Sequence, residues 1–269
     1  MIIKIGYDIQ FELVAPTPMV LMLYVHPSRR GDLRLAEKLI VDPEVPVTNY
    51  IDMYGNLCGR LLAPAGNVRF ALETLIRDNG KPDPQIEDAS QHAVQDLPDS
   101  TLAFLLASRY CEVDKLNDIA WRLFGSTAPG WARVRAICDW VHEHITFGYH
   151  FADSTKTALQ VFQNGQGVCR DFTHLAITFC RCMNIPARYV TGYLGDIGVP
   201  PAPYPMDFSA WFEVYLGDKW HTFDARHNKP RVGRIIMAVG RDAADVAMTT
   251  NFGKATLKNF VVVTEETEV

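Results

Sequence analysis

One eight-residue stretch carries the clearest chemistry in the chain: Gly165-Gln166-Gly167-Val168-Cys169-Arg170-Asp171-Phe172. Two glycines supply backbone conformations that side-chained residues resist. The run from Phe172 to Met183 is apolar and helix-compatible. Cys169 therefore stands at the predicted first turn of a helix, where unpaired N–H groups and partial positive charge favour an anion. A thiol so placed is expected to lose its proton readily, with Arg170 as an adjacent cation, and the thiolate is the reactive form. The other cysteines (Cys58, Cys111, Cys138, Cys180 and Cys182) have no such setting and read as small buried hydrophobes.

A cysteine nucleophile needs a base to take its proton and a further group to orient that base. Downstream, Leu216-Gly217-Asp218-Lys219 predicts a tight hairpin with Gly217-Asp218 at its tip. Pairing Leu216 with Lys219 sets Trp211 opposite Asp224 and Ser209 opposite Arg226. Paired and alternate residues share a face. Ser209, Trp211, Glu213, Thr222, Asp224 and Arg226 are therefore expected on one side of the ribbon, with His221 and His227 on the other. Trp211 is expected to wall the cleft, and Glu213 and Arg226 are candidates for a cross-strand ion pair. His174, five residues after Cys169, projects away from the thiol at roughly 100° per residue. His142 and His144 fall on the preceding helix. His150 lies in a loop that spacing does not place, which makes it the best histidine candidate for a substitute base. Tyr193 and Asp171 are read as packing and as first-turn charge.

Three blocks together carry a family resemblance: the Cys169 stretch, Ile185-Pro186-Ala187-Arg188-Tyr189-Val190-Thr191-Gly192-Tyr193, and Phe208-Ser209-Ala210-Trp211-Phe212-Glu213-Val214-Tyr215 through Trp220-His221-Thr222-Phe223-Asp224. Residues 100 to 230 resemble the core of the transglutaminase-like superfamily. That group includes cross-linking transglutaminases, peptide N-glycanases and many bacterial cysteine proteases with a β-domain ahead of the core. The resemblance implies a papain-like α+β fold, Cys169 as nucleophile and Asp224 as orienting carboxylate. It also shows a departure, because the family has His-Ala-Trp where this chain has Ser209-Ala210-Trp211. A serine hydroxyl donates and accepts hydrogen bonds, but it does not hold a proton reversibly near neutral pH.

The elements that must position these residues follow from periodicity. Ile3, Ile5, Tyr7, Ile9, Phe11 and Leu13 alternate with Lys4, Gly6, Asp8, Gln10 and Glu12, the period of a strand with one wet face. Met19 to Val25 predicts a more buried strand, Tyr54-Gly55-Asn56 a turn, and Val68 to Ile76 another strand. Residues 79 to 100 are polar and proline-rich, as a linker is. Helices are predicted over Val113–Leu123, after Gly130 with Val134, Ile137, Cys138, Val141 and Ile145 on one face, over Thr157–Phe162, and from Cys169 to Asn184 before Pro186. Strands return at 187–194, 210–216 and 219–225, with a last one at Phe260–Val263 before a frayed acidic tail. The expected organisation is a small β-sandwich at 1–85, a linker at 86–100 and, at 101–269, a core of helices packed on an antiparallel sheet.

Composition narrows the class. The 269 residues are 48% hydrophobic and 21% charged, ordinary for a globular chain. A formal net charge of −5 argues against nucleic acid as the main partner. No apolar run has membrane-spanning length, and MIIKIGYDIQFELV lacks the apolar core of a secretory signal. Six cysteines without a repeating framework suit reduced thiols, hence a cytoplasmic setting. Cys180 with Cys182, and His142 with His144, are two apart on helices and face different ways, so neither is a metal pair. No cofactor is expected, and no acidic loop has calcium-binding spacing. The leading expectation is a cysteine hydrolase or acyltransferase taking a peptide or protein amide, weakened by the missing imidazole. The alternative is an inactive domain that keeps the cleft for binding or scaffolding. Redox sensing lacks a partner thiol in a short motif. Oligomeric state is left open.

Overall fold

Alternation along the first strand sets the first half of the molecule. The computed structural model describes residues 1–268. It opens with β1 (Ile2–Leu13), β2 (Thr17–Leu21), β3 (Ile40–Asp42), β4 (Thr48–Ile51), β5 (Leu57–Ala63) and β6 (Gly66–Arg77). Ile3, Ile5, Tyr7, Ile9, Phe11 and Leu13 are all buried, as their period of two requires. Helices follow: α1 (Asp99–Leu102), α2 (Val113–Phe124), α3 (Trp131–His144), α4 (Ala158–Asn164) and α5 (Cys169–Cys182), with a short parallel pair, β7 (Thr146–Phe147) and β8 (Gln166–Gly167). The chain ends with β9 (Ala187–Tyr193), β10 (Ser209–Leu216), β11 (Lys219–Phe223), β12 (Ile235–Gly240), β13 (Thr249–Asn251) and β14 (Ala255–Thr267).

Three four-stranded sheets result, ordered β14-β1-β6-β3, β13-β2-β5-β4 and β11-β10-β9-β12. The first two enclose one apolar core, in which Ile3, Ile5 and Phe11 meet Met19, Leu21 and Leu61, so this part is a sandwich. Its last strands come from the far end of the chain. β14 pairs with the whole of β1, through Lys4 opposite Glu265 and Ile3 opposite Glu266. The acidic run expected to fray is therefore an ordered strand. β13 likewise pairs with β2, so residues 249–267, grouped by sequence with the helical core, complete the N-terminal sheets instead.

The third sheet carries the site. Helix α5 packs on β9 and β10 and is flanked by α2, α3 and α4. It is buried on almost every side, from Asp171 to Cys182, as a central helix must be. Buried Arg181 fastens its C-terminal end, donating to the carbonyls of Ala187, Leu106 and Arg241. The opposite face of the sheet presents Val190, Trp211 and Val239, with Tyr54 of the sandwich packed against them. There the Asn56 side chain both donates to and accepts from the backbone of Val239, at 2.8 Å each, as a neighbouring strand would. Between the halves, the proline-rich stretch is strapped down rather than free. Trp131 N–H donates to Ala89, Gly217 N–H to Ser90, and the Gln91 side chain to Met183. Among the described residues, no helix is long and apolar enough to cross a membrane.

Candidate active site

Local backbone demands build the Cys169 corner. Gly165 ends α4 in the left-handed region at φ 65°, where glycine has no Cβ penalty. Gly167 meets a different constraint: a Cβ there would stand 2.5 Å from the Asp171 Cβ. Asp171 occupies that space because its carboxylate curls back to accept the Val168 N–H at 3.0 Å, which pins the first turn of α5. Cys169 is thereby held half-buried at the helix start. It opens onto a cleft of about 610 Å³ whose lining includes Tyr149, Tyr189, Asp207, Ser209, Ala210 and Met248.

The thiol is not tuned as its position at a helix N-terminus suggests. Arg170 turns away, donating to the Asp171 carboxylate at 3.1 Å and to the Asp153 carbonyl. Burial pushes the Cys169 thiol above its ordinary range. Arg226 opposes that shift, Asp207 reinforces it, and the backbone N–H groups of Ala210 and Arg170 favour the anion. The nearby cation is thus Arg226, brought from fifty-odd residues downstream, and burial outweighs it.

Ser209 lies in the same cleft as Cys169, at the first position of β10 opposite Gly192. It is only 7% exposed, and its Oγ has no hydrogen-bond partner among the described residues. Asp224 does not line that cleft. It sits behind, buried, one residue beyond β11. One carboxylate oxygen accepts the N–H groups of Arg226 and His227 at 3.0 Å each. The other accepts His227 Nδ1 at 2.8 Å and Arg234 Nη2 at 2.9 Å. Burial works against the charge, but the Arg234 guanidinium and the His227 contacts outweigh it and hold the Asp224 carboxyl well below the usual range. Arg234 is in turn held by Asp83 of the strap, Nε to carboxylate at 2.9 Å.

His227 is the residue that face-counting misplaces, since it meets Asp224. The hairpin register runs as expected from Leu216 opposite Lys219 to Phe212 opposite Phe223, and there the ladder stops. Asp224 then folds the chain into a turn closed by its own carboxylate, so strand parity no longer governs residues 224–227. The Asp-x-x-His spacing directly after a strand is the signal that could have found it. The other histidines have separate occupations. His221 bonds the Leu216 carbonyl through Nε2 at 3.0 Å and meets Trp131 edge-on. His174 is buried against Tyr110, accepts the Ala243 N–H, and is held well below its ordinary pKa by burial. His142 meets the Arg226 carbonyl at 2.8 Å, His144 stacks on Trp140, and His150 packs on Phe151 outside the cleft lining.

Two further expectations are corrected. Trp211 is fully buried between the sheet and the sandwich, with Arg234 over its ring at 5.0 Å, so it supports the site from behind and does not wall it. Glu213 pairs with Arg188 of the neighbouring strand at 2.6 Å, whereas Arg226 lies over the Phe147 ring at 3.9 Å. Tyr193 does pack, edge-on against Phe208.

Residues 118–225 match a family model described as the transglutaminase-like superfamily. A solved structure from Cytophaga hutchinsonii, described provisionally as a cysteine protease, is 32% identical; the match covers 100% of this chain and 92% of that one, with a TM-score of 0.86. An uncharacterized protein of Mycobacterium leprae is 32% identical over 122 residues, 45% of this chain. That match spans only 40% of the relative's own length.

Proposed function

Because the chain belongs to the transglutaminase-like superfamily, we propose that it is a cysteine hydrolase or acyltransferase acting on an amide or peptide through a thioester at Cys169. The observation that carries this is a cysteine at the first turn of a buried helix, opening onto a 610 Å³ cleft with backbone N–H groups beside its sulfur. Sγ, once deprotonated, attacks the carbonyl carbon. The carbonyl oxygen gains charge, and first-turn N–H groups, which lack intrahelical acceptors, are positioned to receive it. Collapse of the tetrahedral species breaks the C–N bond, the departing amine takes a proton, and a thioester remains. Water or a second amine then resolves it.

A family pattern with serine in place of histidine at the base position lowers the expected rate, since losing a general base costs about a hundredfold to ten-thousandfold. The test is turnover of an amide and ester panel by the wild type and Cys169→Ala. A rate that disappears in the variant supports the proposal. Equal rates refute it and leave a binding or scaffolding role for the cleft.

A further inference from the structure

We propose that His227 is the proton acceptor for Cys169, positioned by Asp224 and reached through the Ser209 hydroxyl. This rests on the nucleophile proposed above and adds the base that the family position lacks.

Three observations converge on it. His227 Nδ1 is engaged by the Asp224 carboxylate at 2.8 Å. A proton on Nδ1 leaves the Nε2 lone pair as the acceptor, the arrangement in which a carboxylate orients a catalytic imidazole. The ring is 20% exposed and lines a small depression of about 70 Å³ with Tyr149, Asp207, Phe208, Ser209 and Arg226. Tyr149, Asp207, Phe208 and Ser209 also line the Cys169 cleft, so the two spaces share one wall. In that wall, Ser209 keeps a buried hydroxyl with no partner. A buried unpaired hydroxyl is costly and calls for an occupant or a role. Its neighbour Ala210 brings a backbone N–H to the Cys169 sulfur.

The step balances without a co-reactant. Ser209 Oγ is unpaired at rest; once a turn about its Cα–Cβ bond sets it between Sγ and Nε2, the thiol proton passes to Oγ as the Ser209 proton passes to Nε2, giving thiolate and imidazolium with the hydroxyl regenerated. Reversal of the relay delivers the proton to the departing amine. Asp224 stays ionised throughout and does not take the proton. The other charged groups facing His227 are Asp196, Asp207, Arg226 and Arg231 across the depression, with Arg234 behind Asp224.

The experiment is the pH profile of Cys169 alkylation by iodoacetamide, which needs no substrate. In wild type, alkylation should climb with pH as the buried thiol ionises. His227→Gln and Ser209→Ala should each slow it at pH 6 by about tenfold or more, one pKa unit being a tenfold change in thiolate. Ser209→Thr, which keeps the hydroxyl, should restore it. Circular dichroism checks that the variants fold. A folded His227→Gln protein with an unchanged profile overturns the proposal. If that variant does not fold, NMR titration of His227 in wild type and Cys169→Ala decides: a coupled pair shifts its midpoint by about one unit, and an unmoved midpoint overturns it. Turnover lost in Cys169→Ala but retained in His227→Gln removes this base while leaving the nucleophile standing.

Discussion

The two sides of the cleft are built in different ways. On the Cys169 side the fixing contacts are close in sequence: Asp171 reaches Val168, Thr173 Oγ1 donates to the Cys169 carbonyl, Gly165 turns the chain just before, and β8 pairs with β7 twenty residues upstream. On the Asp224 side a buried carboxylate depends on Arg234, which depends on Asp83, 151 residues away in the strap. A helix start held by its own turn tolerates change elsewhere. A buried ion pair is held only while every partner is present, because removing one leaves an uncompensated charge. The nucleophile is thus a local device, and its orienting carboxylate is a product of the whole chain.

The largest effect should come from breaking the long-range side. Arg234→Ala strands Asp224 and Asp83 and is expected to cost about 3–5 kcal/mol of stability, read from urea unfolding. A loss under about 1 kcal/mol would mean that the Asp224 side is as self-sufficient as the Cys169 side.

Acid should separate the two sides next. The Asp224 carboxyl is held below its unfolded value, so the stability it contributes is present above about pH 4 and fades as pH falls toward the folded value. Stability measured from pH 6 to 3 should fall for wild type and fall less steeply for Asp224→Asn. Parallel curves would contradict the pairing.

On the local side, Asp171→Ala removes the contact that pins the first turn of α5 and should cost about 1 kcal/mol. Differential scanning fluorimetry should show the smaller loss than for Arg234→Ala; the reverse order would invert the comparison.

The smallest changes lie where the sides meet, at the sulfur. Arg226 favours the thiolate and Asp207 opposes it. Arg226→Gln should therefore slow alkylation of Cys169 at neutral pH by a few-fold, and Asp207→Asn should speed it by a similar factor. Same-direction changes in both variants would show that neither charge acts on the thiol.

How much of this was legible beforehand depends on the range of the interaction. The α5 start, the apolar face of α3 and the hairpin register from Leu216 to Phe212 follow periodicity and turn chemistry, and the structure has them. The partner of β1 at the far end of the chain is only partly visible: Phe260–Val263 reads as a strand, but the exposed polar residues on either side of it, on an edge strand, hide its full length and its pairing with β1. Cation identity was missed for a similar reason. Arg170 is adjacent in sequence, yet its guanidinium is claimed by Asp171 and Asp153, and Arg226 arrives from another element.

Taken alone, the order of residues determined an α+β chain of the transglutaminase-like kind, a cysteine at a helix start and a serine where an imidazole is usual. These depend on neighbours within a few positions, where backbone geometry dictates the outcome. Only the tertiary structure decided that burial outweighs the helix N-terminus at the thiol, that Asp224 faces Arg234 and His227, and that Ser209 stands between the two chambers. Desolvation and buried ion pairing depend on which distant surfaces meet, and no spacing along the chain encodes that directly.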